Sequence, residues 1–276
     1  MRAAILIAAG IVFLPVVLDA VSALGRLRLR ADPGGSPASG VVVFVESIRW
    51  LGIRWGLRSV AAGFRRAGYE GEFLYWRWHA GWRGWLVLPA IMDAAMLERE
   101  AGRLAEFLAA RRDERPAAPI HLVGYSCGGY VAVRALELLR PGVRVDAAAL
   151  LAPAIDPRRD LRAARSRVSG ALVVVWSLLD WFIVGLGTLL AGTGDRKHVA
   201  SMGMVGPRRA EGEPGAPAGE ERKGPDRADC GRIVQVRWRP GLLHAGYLGG
   251  HFSASTAGLI QQCVAPAMGV APAGEA

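Results

Sequence analysis

Residues Ile120 to Tyr130 read I-H-L-V-G-Y-S-C-G-G-Y. Ile120, Leu122 and Val123 form a short apolar run suited to a buried strand. Gly124-Tyr125-Ser126-Cys127-Gly128 follows without a spacer, and Val131 to Leu139 then has a helical pattern. The order predicts a strand, a sharp turn and a helix, with Ser126 on the turn. Glycines on either side of Ser126 remove the Cβ atoms that would collide in a strained bend and leave the hydroxyl exposed at the helix start. The same letters also suit a glycine-rich loop whose serine merely caps the helix.

Composition narrows what can surround this stretch. A chain of 276 residues, 52% hydrophobic and 21% charged, can bury one sizeable α/β core, so one domain is expected. The formal net charge is +10, but the arginines are scattered and no zinc-finger, helix-turn-helix or RNP pattern accompanies them. Nucleic acid is therefore not the expected partner; an anionic membrane surface is. Cys127, Cys230 and Cys263 are too few and too widely spaced for a disulfide framework or a paired metal site, and read as free thiols.

On Gly124 to Gly128 and its strand-turn-helix setting, the chain resembles the nucleophile elbow of the α/β-hydrolase family. The resemblance implies an α/β fold: a mostly parallel, twisted sheet of about eight strands flanked by helices, with a serine nucleophile followed in chain order by an acid and a histidine. It implies no cofactor and no metal.

Ahead of that domain, Met1 to Leu24 is largely apolar and ends before Gly25 and the basic Arg26, Arg28 and Arg30. Residues 1–30 read either as a signal peptide cut near Val21-Ser22-Ala23, giving an exported protein, or as an N-terminal membrane anchor. The arginines after the apolar run favour attachment. Asp19 and Pro15 count against an ideal span. A Gly/Pro/Ser linker at Asp32 to Gly40 sets this apolar helix apart from the hydrolase domain, expected over residues 38–268.

Val41 to Val45 is a continuous apolar run suited to a buried parallel strand. Such a strand in α/β-hydrolases commonly ends in a His-Gly pair whose loop supplies an oxyanion-hole N–H, whereas this chain has Val45-Glu46-Ser47. A carboxylate pointing at a developing oxyanion would repel it. Glu46 must turn away, or the second donor lies elsewhere, at Ser47 or Ile48; Cys127 N–H is the first donor the resemblance implies.

Arg54 to Ala67 reads as an amphipathic helix and Phe73 to Trp78 as a strand. Trp76, Trp78, Trp82 and Trp85 suit an acyl pocket, a membrane interface or core packing. His79 precedes the nucleophile, out of order for the family's base, and His121 reads as a packed core histidine. Met92 to Ala110 is helical, Val145 to Pro153 and Ala171 to Trp176 are strands, and Ile233 to Trp238 resumes a strand after a proline- and glycine-rich stretch, 208–229, expected to be a mobile surface loop.

Asp180 follows the strand ending at Trp176, where the family holds the carboxylate that orients the histidine. Its apolar neighbours Leu179 and Trp181 point to a buried, partnered acid. Asp195, among glycines in Gly192-Thr193-Gly194-Asp195, is the alternative. For the base, His251 and His244 both lie between the last strand and the last helix; His251 is preferred because Gly249-Gly250 permit close backbone approach. Ser126, Asp180 and His251 thus stand in the family's order, with Cys127 and Ser47 as oxyanion donors. They point to a serine hydrolase of the carboxylesterase or lipase-like kind, acting through an acyl-enzyme on a small-molecule or lipid ester with an apolar acyl part, at a membrane surface. A catalytically silent binding protein of the same fold, and an acyltransferase using the same triad, are the alternatives.

Overall fold

Six apolar runs become the strands of one sheet: β1 (Ser36–Val45), β2 (Gly71–Tyr75), β3 (Ile120–Tyr125), β4 (Ala147–Leu151), β5 (Ala171–Trp176) and β6 (Arg232–Arg237). The structure, a computed structural model, describes residues 2–26, 34–46, 53–78, 93–208 and 231–270. Every pairing is parallel, in the order β2-β1-β3-β4-β5-β6. β3 and β4 are buried along their whole length, as strands covered on both faces must be, which is why they read as unbroken apolar runs.

Alternate residues serve opposite layers. Val41, Val43, Leu122, Leu150 and Val174 pack beneath α3 (Ala94–Glu114) and α4 (Cys127–Leu138). Val42, Phe44, Val123, Leu151 and Val173 pack beneath α2 (Leu57–Arg66) and the helical run 257–267. In α3 the inward stripe is Leu97, Ala101, Leu104 and Leu108, at helical spacing. Asp93 caps that helix by accepting from Met96 N–H at 2.9 Å. β6 is the partly exposed edge strand and carries Arg232 and Arg237, charges that discourage further pairing.

The expectation of about eight strands is corrected: the described residues contain six. Eight came with the family resemblance, while the described residues supply six. The fold is an α/β fold with a parallel sheet flanked by helices.

The N-terminal apolar run is helix α1, Arg2–Arg26, which contains Pro15. Among the described residues no helix is long and apolar enough to cross a membrane. Instead, α1 lies against the turn Phe252–Ser255. Its Asp19 and Ala23 are buried, while Phe13, Leu14, Val17, Leu18, Val21 and Leu24 are exposed.

Chain order reverses across β1, which has β2 on one side and β3 on the other. Connections leave such a point in opposite directions, opening a crevice at the carboxyl ends of the strands. Glu46 follows β1 and Ser126 follows β3 at that crevice.

Candidate active site

Ser126 sits between β3 and α4 with φ 56° and ψ −122°, a conformation that L-residues rarely adopt and that tends to be retained where a side chain must be aimed. Its backbone is held at both ends. Ser126 N–H donates to Leu151 O at 2.9 Å, and Ser126 O accepts from Gly129 N–H at 3.0 Å and Ala154 N–H at 3.1 Å. The flanking glycines are sterically required. A Cβ on residue 124 would stand 2.7 Å from Gly129 Cα, and one on residue 128 would stand 2.1 Å from Val45 O. The turn therefore closes only because helix α4 can press directly against β1.

Cys127 opens α4, and its N–H belongs to the first turn, where helix geometry leaves amide hydrogens without intrahelical partners. Its thiol is fully buried, and burial pushes it up to about 12. Ser47 lies outside the described residues.

Asp180 is carried by the turn that ends β5. Ser177 Oγ accepts from Leu179 N–H at 3.1 Å and Asp180 N–H donates to Ser177 O at 3.1 Å, fixing the turn. The carboxylate is buried and accepts from His251 Nδ1 at 2.8 Å. Burial pushes its carboxyl above the usual range, against the pull of His251 and the Val184 N–H.

His251 comes from the loop after β6. Gly249 takes φ +87°, and a Cβ there would meet Leu179 Cδ1 at 2.8 Å and Ser177 Oγ at 3.0 Å. Glycine is thus needed twice over, for the backbone angle and for the approach to the Asp180 turn. Tyr125, the residue before Ser126, stacks on the imidazole with centroids 5.2 Å apart, and its hydroxyl donates to His251 O at 3.1 Å. β3 thereby places Tyr125, the residue before Ser126, against the histidine bonded to Asp180.

The other candidates go elsewhere. Asp195 accepts from Asp156 N–H at 2.6 Å and is ion-paired with Arg159, which also binds Glu137. His244 is exposed on a short helical turn, Pro240–Ala245. His121 is a buried strand residue, driven down to about 4 by burial. Trp78 is buried and donates its indole N–H to Glu46 O, and Trp76 packs on Phe107 at 5.3 Å. Trp78 is a core residue and Trp76 is partly buried against the core. His79, Trp82, Trp85 and the stretch 209–230 lie outside the described residues.

Glu46 is engaged at the start of α2. Its Oε1 accepts from Gly56 N–H at the start of α2, and burial pushes the carboxyl up to about 7 despite the helix-end hydrogen bonds. The acid that looked repulsive to an oxyanion is engaged as an acceptor at a helix start.

One residue at the site was not foreseen. Asp19 of α1 accepts from Phe252 N–H and Ser253 N–H, each at 2.8 Å, in the turn immediately after His251. In the sequence it reads only as a flaw in an apolar segment. The available signal was its spacing with Ala23 and Arg26, which puts all three on one side of a helix.

Among the described residues no cluster of three or more His, Cys, Asp or Glu could hold a metal. No protein-family model and no curated protein matches the chain. Among solved structures it is similar to a Trichoderma reesei cutinase in complex with a C11Y4 phosphonate inhibitor, at 14% identity and a TM-score of 0.36, over 98% of this chain and 90% of that one.

Proposed function

We propose that the chain is a serine hydrolase that cleaves a carboxylic ester with an apolar acyl part, using Ser126, His251 and Asp180. The observation that carries this reading is the strained Ser126, one residue from the tyrosine that stacks on an Asp180-bonded His251. A serine hydroxyl is a weak nucleophile near neutral pH and needs an adjacent base. In the proposed reaction Ser126 Oγ attacks the ester carbonyl as His251 Nε2 takes its proton. The imidazolium returns that proton to the departing alcohol, leaving an acyl-enzyme that water, activated by the same imidazole, hydrolyses. Asp180 holds the Nδ1–H tautomer and stabilises the imidazolium. The Cys127 N–H stabilises the oxyanion, aided by the positive end of α4, with Ser47 N–H as the second donor.

The silent binding protein drew its support from Glu46. That support weakens because Glu46 is turned to Gly56 N–H. Acyl transfer through the same acyl-enzyme would need an alcohol in place of water, and hydrolysis is the reading we propose.

The enzyme is proposed to work at a membrane surface to which α1 attaches it. Supporting this is the outward face of α1, where Phe13, Leu14, Val17, Leu18 and Val21 are exposed on a chain of net charge +10. Export after signal cleavage is the less favoured route, since a cut near Ala23 would remove Asp19 from its contacts with Phe252 and Ser253.

Turnover of a short and a long p-nitrophenyl ester by wild type, Asp180→Asn and Asp195→Asn tests the assignment. Asp180→Asn is expected to lower kcat about 10³-fold or more, since the wrong imidazole tautomer is then favoured. Asp195→Asn is expected to stay within about tenfold of wild type. Equal, mild losses in both would refute the triad.

A further inference from the structure

Helix α1 touches the site on two sides. Phe13 packs edge-on against Trp181 at 5.2 Å and Phe182 at 6.1 Å, in the segment immediately after Asp180. Asp19, six residues along the same helix, bonds to Phe252 and Ser253 N–H, immediately after His251. The two segments that carry the acid and the base are thus braced by one helix that belongs to neither.

The contact at Asp19 is specific in its chemistry. Phe252 and Ser253 begin a 3-10 turn, whose first N–H groups have no partner within the turn. Each carboxylate oxygen takes one of them, as a capping side chain would, but from a residue 233 and 234 positions away in sequence. The group is buried, so water does not substitute for it. It is also closely fitted: a Cβ on Gly250 would stand 2.4 Å from Asp19 Cγ. Phe252 is held on its other side by Trp55, with ring centroids 5.0 Å apart, next to the Gly56 that binds Glu46.

We propose that Asp19 is a positioning residue of this site, holding the His251 turn in the place from which its imidazole serves both Asp180 and Ser126. This rests on the hydrolase reading above. In that role α1 is part of the working enzyme and not only a leader or an attachment. An imidazole carried on an unbraced loop would sample poses in which Nε2 misses the Ser126 hydroxyl. A misplacement of about 1 Å in a catalytic group can cost about a hundredfold in rate.

The test uses the full chain with Asp19→Asn and Asp19→Glu. Asparagine keeps the shape but offers a single acceptor oxygen, so one of the two N–H groups loses its partner. Glutamate keeps the charge but adds a methylene where Gly250 already fills the space. Both are expected to lower kcat about tenfold to a hundredfold with KM within about twofold of wild type, and to shift or broaden the downfield NMR resonance of the His251 Nδ1 proton. A folded Asp19→Asn with kcat within twofold of wild type, or with its loss wholly in KM, overturns the proposal. Should Asp19→Asn not fold, Asp19→Glu decides by the same criteria. The Nδ1 resonance separates this idea from the reading beneath it. If Ser126 proves unreactive, a resonance altered by Asp19→Asn still supports the positioning role, and an unaltered one removes it.

Discussion

Gly128 shows how little freedom the turn at Ser126 has. A Cβ at that position would lie 2.1 Å from Val45 O, a backbone atom that cannot rotate away. Gly128→Ala should therefore destabilise the protein by about 3 kcal/mol or more, read as a large drop in Tm or loss of soluble protein. A variant that melts within a few degrees of wild type would contradict the close contact of α4 with β1. Glu46 gives a prediction with a sign. Burial raises its carboxyl from 4.5 to about 7, so its contribution to stability is fully present below pH 4.5 and is lost as pH rises through about 7. Glu46→Gln keeps an acceptor for Gly56 N–H without that titration. Relative to wild type it should gain stability with rising pH, by up to roughly 3 kcal/mol above pH 7. Denaturant melts at pH 5 and pH 8 check this, and an equal difference at both would rule it out. The strained turn at Ser126 and the hydrogen-bonded Asp180 and His251 fall at residues the sequence marks locally: a glycine-bounded turn, the residue run just past a strand, a Gly-Gly approach. Asp19 was not, because its meaning depends on a contact 233 residues distant. The direction of Glu46 was likewise undecidable from Val45-Glu46-Ser47 alone, since its acceptor role depends on where α2 begins.

Among the elements, the strands were the most legible. Val41 to Val45 is the buried half of β1 and Ala171 to Trp176 is β5, because buried parallel strands carry unbroken apolar runs, and Ile233 to Trp238 lies within one residue of the edge strand β6 although Gln235 and the arginines interrupt its apolar pattern. The strand count carried over by resemblance was not: the described residues form six strands. Helix α1 was legible as a helix but not in its placement. Its apolar residues were expected to mark a lipid-embedded segment apart from the domain, yet its polar Asp19 faces inward and Phe13, Leu14 and Val17 face out. Amphipathic logic runs in reverse there, and a hydropathy reading has no way to see it. If the brace is real, deleting residues 2–26 should lower turnover at least tenfold while leaving a cooperative melt for the sheet domain, monitored by circular dichroism. A truncated chain as active as the full one would mean that the helix contributes nothing to the site.

At the scale of the molecule, one parallel sheet sets Ser126 and Glu46 at the reversal of strand order, and helix α1 turns an apolar face outward beside the segments that hold Asp180 and His251. Charging that face should weaken attachment without touching the chemistry. Leu14→Glu with Val21→Glu is expected to cut flotation with vesicles containing anionic lipid by at least about tenfold, given the free energy of burying two leucine-sized side chains. Unchanged flotation would move attachment elsewhere on the surface. The turnover predictions presuppose an activated serine. The measurement that reaches it most directly is covalent labelling with a fluorophosphonate, read by mass spectrometry of the peptide spanning residues 120–130, in wild type and in Ser126→Ala. The account predicts a single adduct on Ser126 in wild type and none in a Ser126→Ala protein with an unchanged melting curve. Folded wild type that takes up no label, or a Ser126→Ala protein that labels as fast, would contradict it.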